Sequence, residues 1–120
     1  MSTGEDQPKV RSRLEEMAVA YFKKEGFKVN AENAIMEGYS GMPRHFDLIV
    51  QRGRNEQGVW IRDWNRTIGV NVIITLDTAS EDVGLSNPIM VGEKFSDHAK
   101  SYSNRRKIML LTKQKIESFR

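Results

Sequence analysis

Residues 59–77 read VWIRDWNRTIGVNVIITLD, a run apolar and β-branched enough to be a buried strand, and it constrains the fold more than any other segment. A strand of this kind needs cover on both faces, so its sheet must be flanked by other layers. The run is expected to end near Asp77, and its polar residues 63–66 leave room for a bend or short hairpin before Ile68. With 120 residues, the chain suffices for one core and not for two, because single domains run to roughly 100–200 residues. We therefore expect a single domain over residues 10–120, preceded by a polar arm over residues 1–9 that contains Gly and Pro.

Upstream of this run the periodicity changes twice. Leu14, Met17, Ala18, Tyr21 and Phe22 recur at helical spacing, and Gly26 suits the helix end. Residues 27–36 read as a first strand, and EGYSGMP at 37–43 as a turn. HFDLIVQ, residues 45–51, reads as a second strand with Phe46, Leu48 and Val50 on one face and Asp47 and Ile49 on the other. Downstream, Pro88 suits the first turn of a helix capped by Ser86 or Asn87 and running towards Ser101. KIMLLT, residues 107–112, reads as a last short strand, with a polar stub or helical turn after it. The order is helix, three strands, helix, strand: an α/β domain with a mixed sheet flanked by helices.

Composition removes several function classes. Hydrophobic residues make up 38% and charged residues 29%, the balance of a folded, water-soluble chain. No apolar run approaches the roughly 20 residues of a spanning helix, and the polar start lacks a signal-peptide core, so a cytoplasmic protein without membrane contact is expected. Cysteine is absent, which excludes disulfides, thiolate catalysis and Cys-based zinc sites; a metal here would need carboxylates or His. Only His45 and His98 are available, and neither a GxSxG elbow nor a phosphate-binding glycine loop occurs. The net charge of +3 fits a polyanionic partner but is weak evidence alone. Lys9, Arg11 and Arg13 crowd the first helix, and Arg105, Arg106 and Lys107 form a run; with Arg44, the arginines and Lys107 are candidates for phosphate contact, each of which also reads as solvated surface.

Three segments carry a resemblance: LEEMAVAYFKKEGFKV, GYSGMPRHFDLIV and EKFSD at residues 93–97. Together with the element order, they resemble the PD-(D/E)xK restriction-endonuclease-like superfamily, and within it archaeal Mrr-like and resolvase-like proteins, over residues 14–112. The resemblance implies a restriction-endonuclease-like core, a partner that is duplex or branched DNA, a Mg²⁺-dependent endodeoxyribonuclease centre and a homodimer. It places Asp47 at the first acid of the motif and Glu15 at the helix glutamate. The chemistry requires acidic oxygens around a hard cation and a lysine that helps orient the attacking water and stabilises charge on the phosphate. The next strand, taken as VNVIITLD, offers Asn71, Ile73, Thr75 and Asp77 and no acid-x-lysine pair. Asp77 would then be the second carboxylate and Lys94, on the second helix, the displaced lysine.

Each candidate has a plainer reading. Asp47 is costly in a buried strand unless paired, and Arg44 or Arg66 would pair it. Glu15 reads equally as exposed helix surface, Asp77 as a turn cap, and Lys94 with Asp97 as a surface ion pair. Trp60 and Trp64 are partly core or, between Arg62 and Arg66, a surface that stacks on a base or another chain. The leading expectation is a nuclease-like DNA-binding protein whose metal site, built on Glu15, Asp47 and Asp77, is incomplete or inactive. An active Mg²⁺-dependent endonuclease using Lys94 is the alternative, and a structural or oligomerisation module the third.

Overall fold

The computed structural model describes residues 12–118, so the expected arm over residues 1–9 and the candidate Arg11 lie outside the described residues. In chain order the elements are α1 (Arg13–Lys24), β1 (Lys28–Glu37), β2 (Pro43–Arg52), β3 (Asn55–Ile61), β4 (Thr67–Ile68), α2 (Val70–Asp82), β5 (Ile89–Gly92), β6 (Lys94–Phe95), α3 (Asp97–Arg106), β7 (Met109–Thr112) and α4 (Lys113–Glu117). Helix α1 is fixed by its sequence at both ends. The Ser12 hydroxyl accepts the Glu15 N–H at 3.1 Å and the Glu15 carboxylate accepts the Ser12 N–H at 2.9 Å, a reciprocal capping box. Gly26, with φ +92°, supplies the left-handed residue just past the end.

The five-stranded sheet has the order β1-β2-β3-β5-β7. β1, β2 and β3 pair antiparallel through short turns, while β5 and β7 join in parallel. Parallel neighbours need crossovers, and α2 and α3 provide them. One hydrophobic cluster joins Leu14, Ala18, Val19 and Phe22 of α1 and Ile116 of α4 to Leu48, Val50, Val59, Ile61 and Val91 of the sheet. A second joins Ile73, Leu76 and Ala79 of α2 and Ala99 of α3 to Phe46, Ile49 and Met90. The two clusters therefore occupy opposite faces of one mixed sheet, each covered by its own pair of helices.

The run at residues 59–77 is not one strand. β3 ends at Ile61, the chain turns through residues 63–66, and Val70–Asp82 is helix α2. Within α2 the buried residues Ile73, Leu76, Asp77, Ala79 and Ser80 recur three and four apart, the helical period. β-Branched composition signals a surface that packs rather than an extended backbone, and tertiary burial overrides it here. The segment after Pro88 also differs from expectation. It enters β5, whose four residues are all buried, and the helix comes later as α3, capped by the Ser96 hydroxyl rather than by Ser86 or Asn87. An apolar run in a parallel strand buried on both faces shows no alternation to distinguish it from helix. The expected mixed sheet flanked by helices is present, but β4, α2, β5 and β6 stand between the third strand and the helix α3 that leads to the last strand β7.

Candidate functional site

The alternation of β2 breaks at Asp47. Phe46 lies in the same cluster as Ile49, whereas Leu48 and Val50 belong to the other, so the expected common face for Phe46, Leu48 and Val50 is not formed. The partner strand breaks at the same level: Asn33 has φ +51°, and Ala34↔Phe46 and Glu32↔Leu48 are paired on either side of it. Gly58 of β3 lies under the Phe46 ring, so close that a Cβ there would come within 2.5 Å of it. With the backbone turned in this way, the Asp47 side chain reaches β3, where Oδ2 accepts the Ile61 N–H at 2.7 Å.

Beside this bond stands a guanidinium. Arg62 Nη1 lies 3.6 Å from Asp47 Oδ2, and the Arg62 N–H donates to the Val91 carbonyl at 2.9 Å, holding the end of β3 against β5. Burial lowers the Arg62 pKa and the Asp47 charge raises it, but a guanidinium stays protonated throughout. The Arg62 guanidinium sits 4.5 Å from the Trp60 ring centroid and 5.7 Å from that of Trp64, and Arg66 sits 4.4 Å from Trp64. Trp60 is fixed in turn by its indole N–H, which donates to the His45 carbonyl at 2.7 Å. Aromatic and cation thus alternate at positions 60, 62, 64 and 66. That spacing of two is the W-x-R-x-W-x-R of the sequence, and both indoles, expected to be partly core, are partly buried against the second cluster.

The other anticipated residues go elsewhere. Glu15 is the capping partner of Ser12 on α1, and Asp77 is buried on α2, accepting hydrogen bonds from Tyr102 at 2.8 Å and Arg106 at 2.9 Å. Because α1 and α2 cover opposite faces of the sheet, Glu15, Asp47 and Asp77 form no joint carboxylate site. Among the described residues no group of three or more His, Asp or Glu side chains is placed to hold a metal ion. Lys94 is an exposed residue of β6, not of a helix, and Asp97 opens α3. Arg44 pairs with Asp82 at 2.8 Å and Arg106 with Asp77 and Glu81, so Asp47 is paired by Arg62 and not by Arg44 or Arg66. Arg13, Arg105 and Lys107 are exposed.

Two further ion-pair groups had no counterpart in the sequence reading. Lys113 lies 2.7 Å from Asp63 and 3.3 Å from Glu93, joining the chain beyond β3, β5 and β7. Asp82 accepts from the Ser40 N–H and hydroxyl and from Arg44, which hold its pKa down at about 2.

The family Mrr_cat, described as restriction endonuclease, matches residues 11–119. The chain belongs to this family. The fold of this Mrr_cat domain is shared by two solved structures. One is the protein of unknown function AF1548, with a TM-score of 0.74 and 19% identity over 82% of this chain and 55% of that one. The other is EndoMS in its complex with dsDNA, with a TM-score of 0.51 and 12% identity over 89% of this chain and 47% of that one. The Mrr_cat domain thus spans about half the length of either chain. No curated protein matches it by sequence.

Restriction endonucleases use a divalent metal as a rule, and the residues at Asp47 do not fit one. A hard cation such as Mg²⁺ demands several oxygen ligands. Asp47 supplies one carboxylate, already bonded to the Ile61 N–H and flanked by Arg62, and the adjoining side chain of Trp60 has no acceptor at all.

Proposed function

We propose that this domain binds DNA through a restriction-endonuclease-like frame and does not hydrolyse it. In the superfamily the second acid and the lysine stand on the strand beside that of the first acid. Here that strand is β3, and the residues next to Asp47 are Trp60, Ile61 and Arg62. Trp60 and Arg62 stand at acid-x-lysine spacing with an indole in place of the acid. The observation that carries the reading is the 3.6 Å approach of Arg62 to Asp47. A permanent cation stands beside the one carboxylate available, and unlike a metal ion it can neither ligate a water as a Lewis acid nor release a proton at neutral pH.

DNA as the partner is supported by the net charge of +3, by exposed Arg13, Arg105 and Lys107, and by the fold shared with EndoMS, whose structure is a complex with dsDNA. Basic side chains that meet phosphates release counterions, so affinity for duplex DNA is expected to fall roughly tenfold or more between about 50 and about 200 mM salt. Titrating a labelled duplex by fluorescence anisotropy at several salt concentrations tests this. Undetectable binding, or binding indifferent to salt, would refute it.

A further inference from the structure

We infer that Trp60, Arg62, Trp64 and Arg66 form a stacking platform for an unpaired nucleobase, which rests on the DNA-binding reading above and narrows it to DNA with a base outside the helix. The inner end of the platform is anchored. Trp60 is tied to the His45 carbonyl, and Arg62 is held between Asp47 and the two indoles. At the outer end is Arg66, exposed and 4.4 Å from the Trp64 centroid, with no ion-pair partner among the described residues. Lys94 adds a second exposed cation there, since its Cα pairs with that of Thr67 between β4 and β6. The nearby carboxylates Asp63 and Glu93 both turn to Lys113, which offsets one of their two charges, and neither is paired with Arg66 or Lys94.

The chemistry of this corner selects its ligand. A planar guanidinium backed by an indole offers a flat, cationic face with in-plane donors, and such a face takes the ring of a base by stacking and its phosphate by charge. Bases inside a duplex already have both faces covered by their neighbours. A base in a bulge or a single-stranded segment has a face to give.

The test compares a labelled duplex with the same duplex carrying one unpaired adenine, both titrated by fluorescence anisotropy at a single salt concentration against the full chain. The expected result is about tenfold tighter binding of the duplex with the unpaired base. Arg66→Lys keeps the charge and removes the plane, and its surface position leaves the core untouched, so the ratio of the two affinities should fall to near one. Equal affinities in the wild-type protein, or a preference that survives in Arg66→Lys, would overturn the platform while leaving DNA binding intact. Failure to bind either DNA would overturn the DNA-binding reading itself.

Discussion

Asp47 closes a gap that the irregular β2 leaves open, since its carboxylate accepts the Ile61 N–H where no strand carbonyl is provided and balances a half-buried Arg62. Removing one partner of such a group leaves the other unsatisfied. Asp47→Ala should therefore lower the unfolding free energy by about 1–3 kcal/mol in urea denaturation. A stability equal to or above that of the wild-type protein would mean that the carboxylate is held in place for something other than structure. Asp82 makes a separate prediction. Its pKa, held at about 2 by Ser40 and Arg44, lies below that of an unfolded aspartate near roughly 4. The ionised form is thus favoured in the folded state, so its stabilisation is present above pH of about 4 and is lost as the pH falls towards 2. Melting temperatures measured across that window should fall less steeply in Asp82→Asn than in the wild-type protein. At this scale the sequence made Asp47 legible, because an acid inside an apolar strand must be paired. It does not disclose the partner: Arg44, Arg62 and Arg66 are all within twenty positions, and only the register of β2 against β3 selects Arg62.

Among the elements, α1, β1, β2 and β7 follow from local patterns of the chain, and α4 is the helical one of two readings left open. The stripe of α1 has a helical period and a closing glycine, and β1 and β2 are joined by a turn whose residues demand one. Residues 59–106 defeated the same reasoning for two physical reasons. The β-branched residues of α2 imitate a strand when their buried positions are not known, and β5, apolar throughout, carries no period. Neither ambiguity is local, since each is settled by what packs on the other side. Gly58 is a case where an element depends on a single close approach, with the Phe46 ring lying over the backbone of β3. Gly58→Ala should destabilise by about 1–3 kcal/mol through overpacking, measurable as a lower denaturation midpoint with an unchanged slope. A neutral effect would show that Phe46 can move aside freely.

At the scale of the whole molecule, the sheet carries α1 and α4 on one face and α2 and α3 on the other, which is why three carboxylates read from the sequence as one site cannot meet. Glu15 and Asp77 belong to opposite layers, and Asp47 remains with an arginine for its neighbour. The family frame is retained, and beside Asp47 on β3 stand Trp60, Ile61 and Arg62. The most direct measurement of this account is a single gel of supercoiled plasmid incubated with saturating protein in Mg²⁺ or Mn²⁺, read both before and after the protein is stripped off. The account predicts a retarded plasmid that returns to the supercoiled position intact with either metal. Nicked or linear product that disappears in Asp47→Ala would contradict it, and would return catalysis to this corner of the fold.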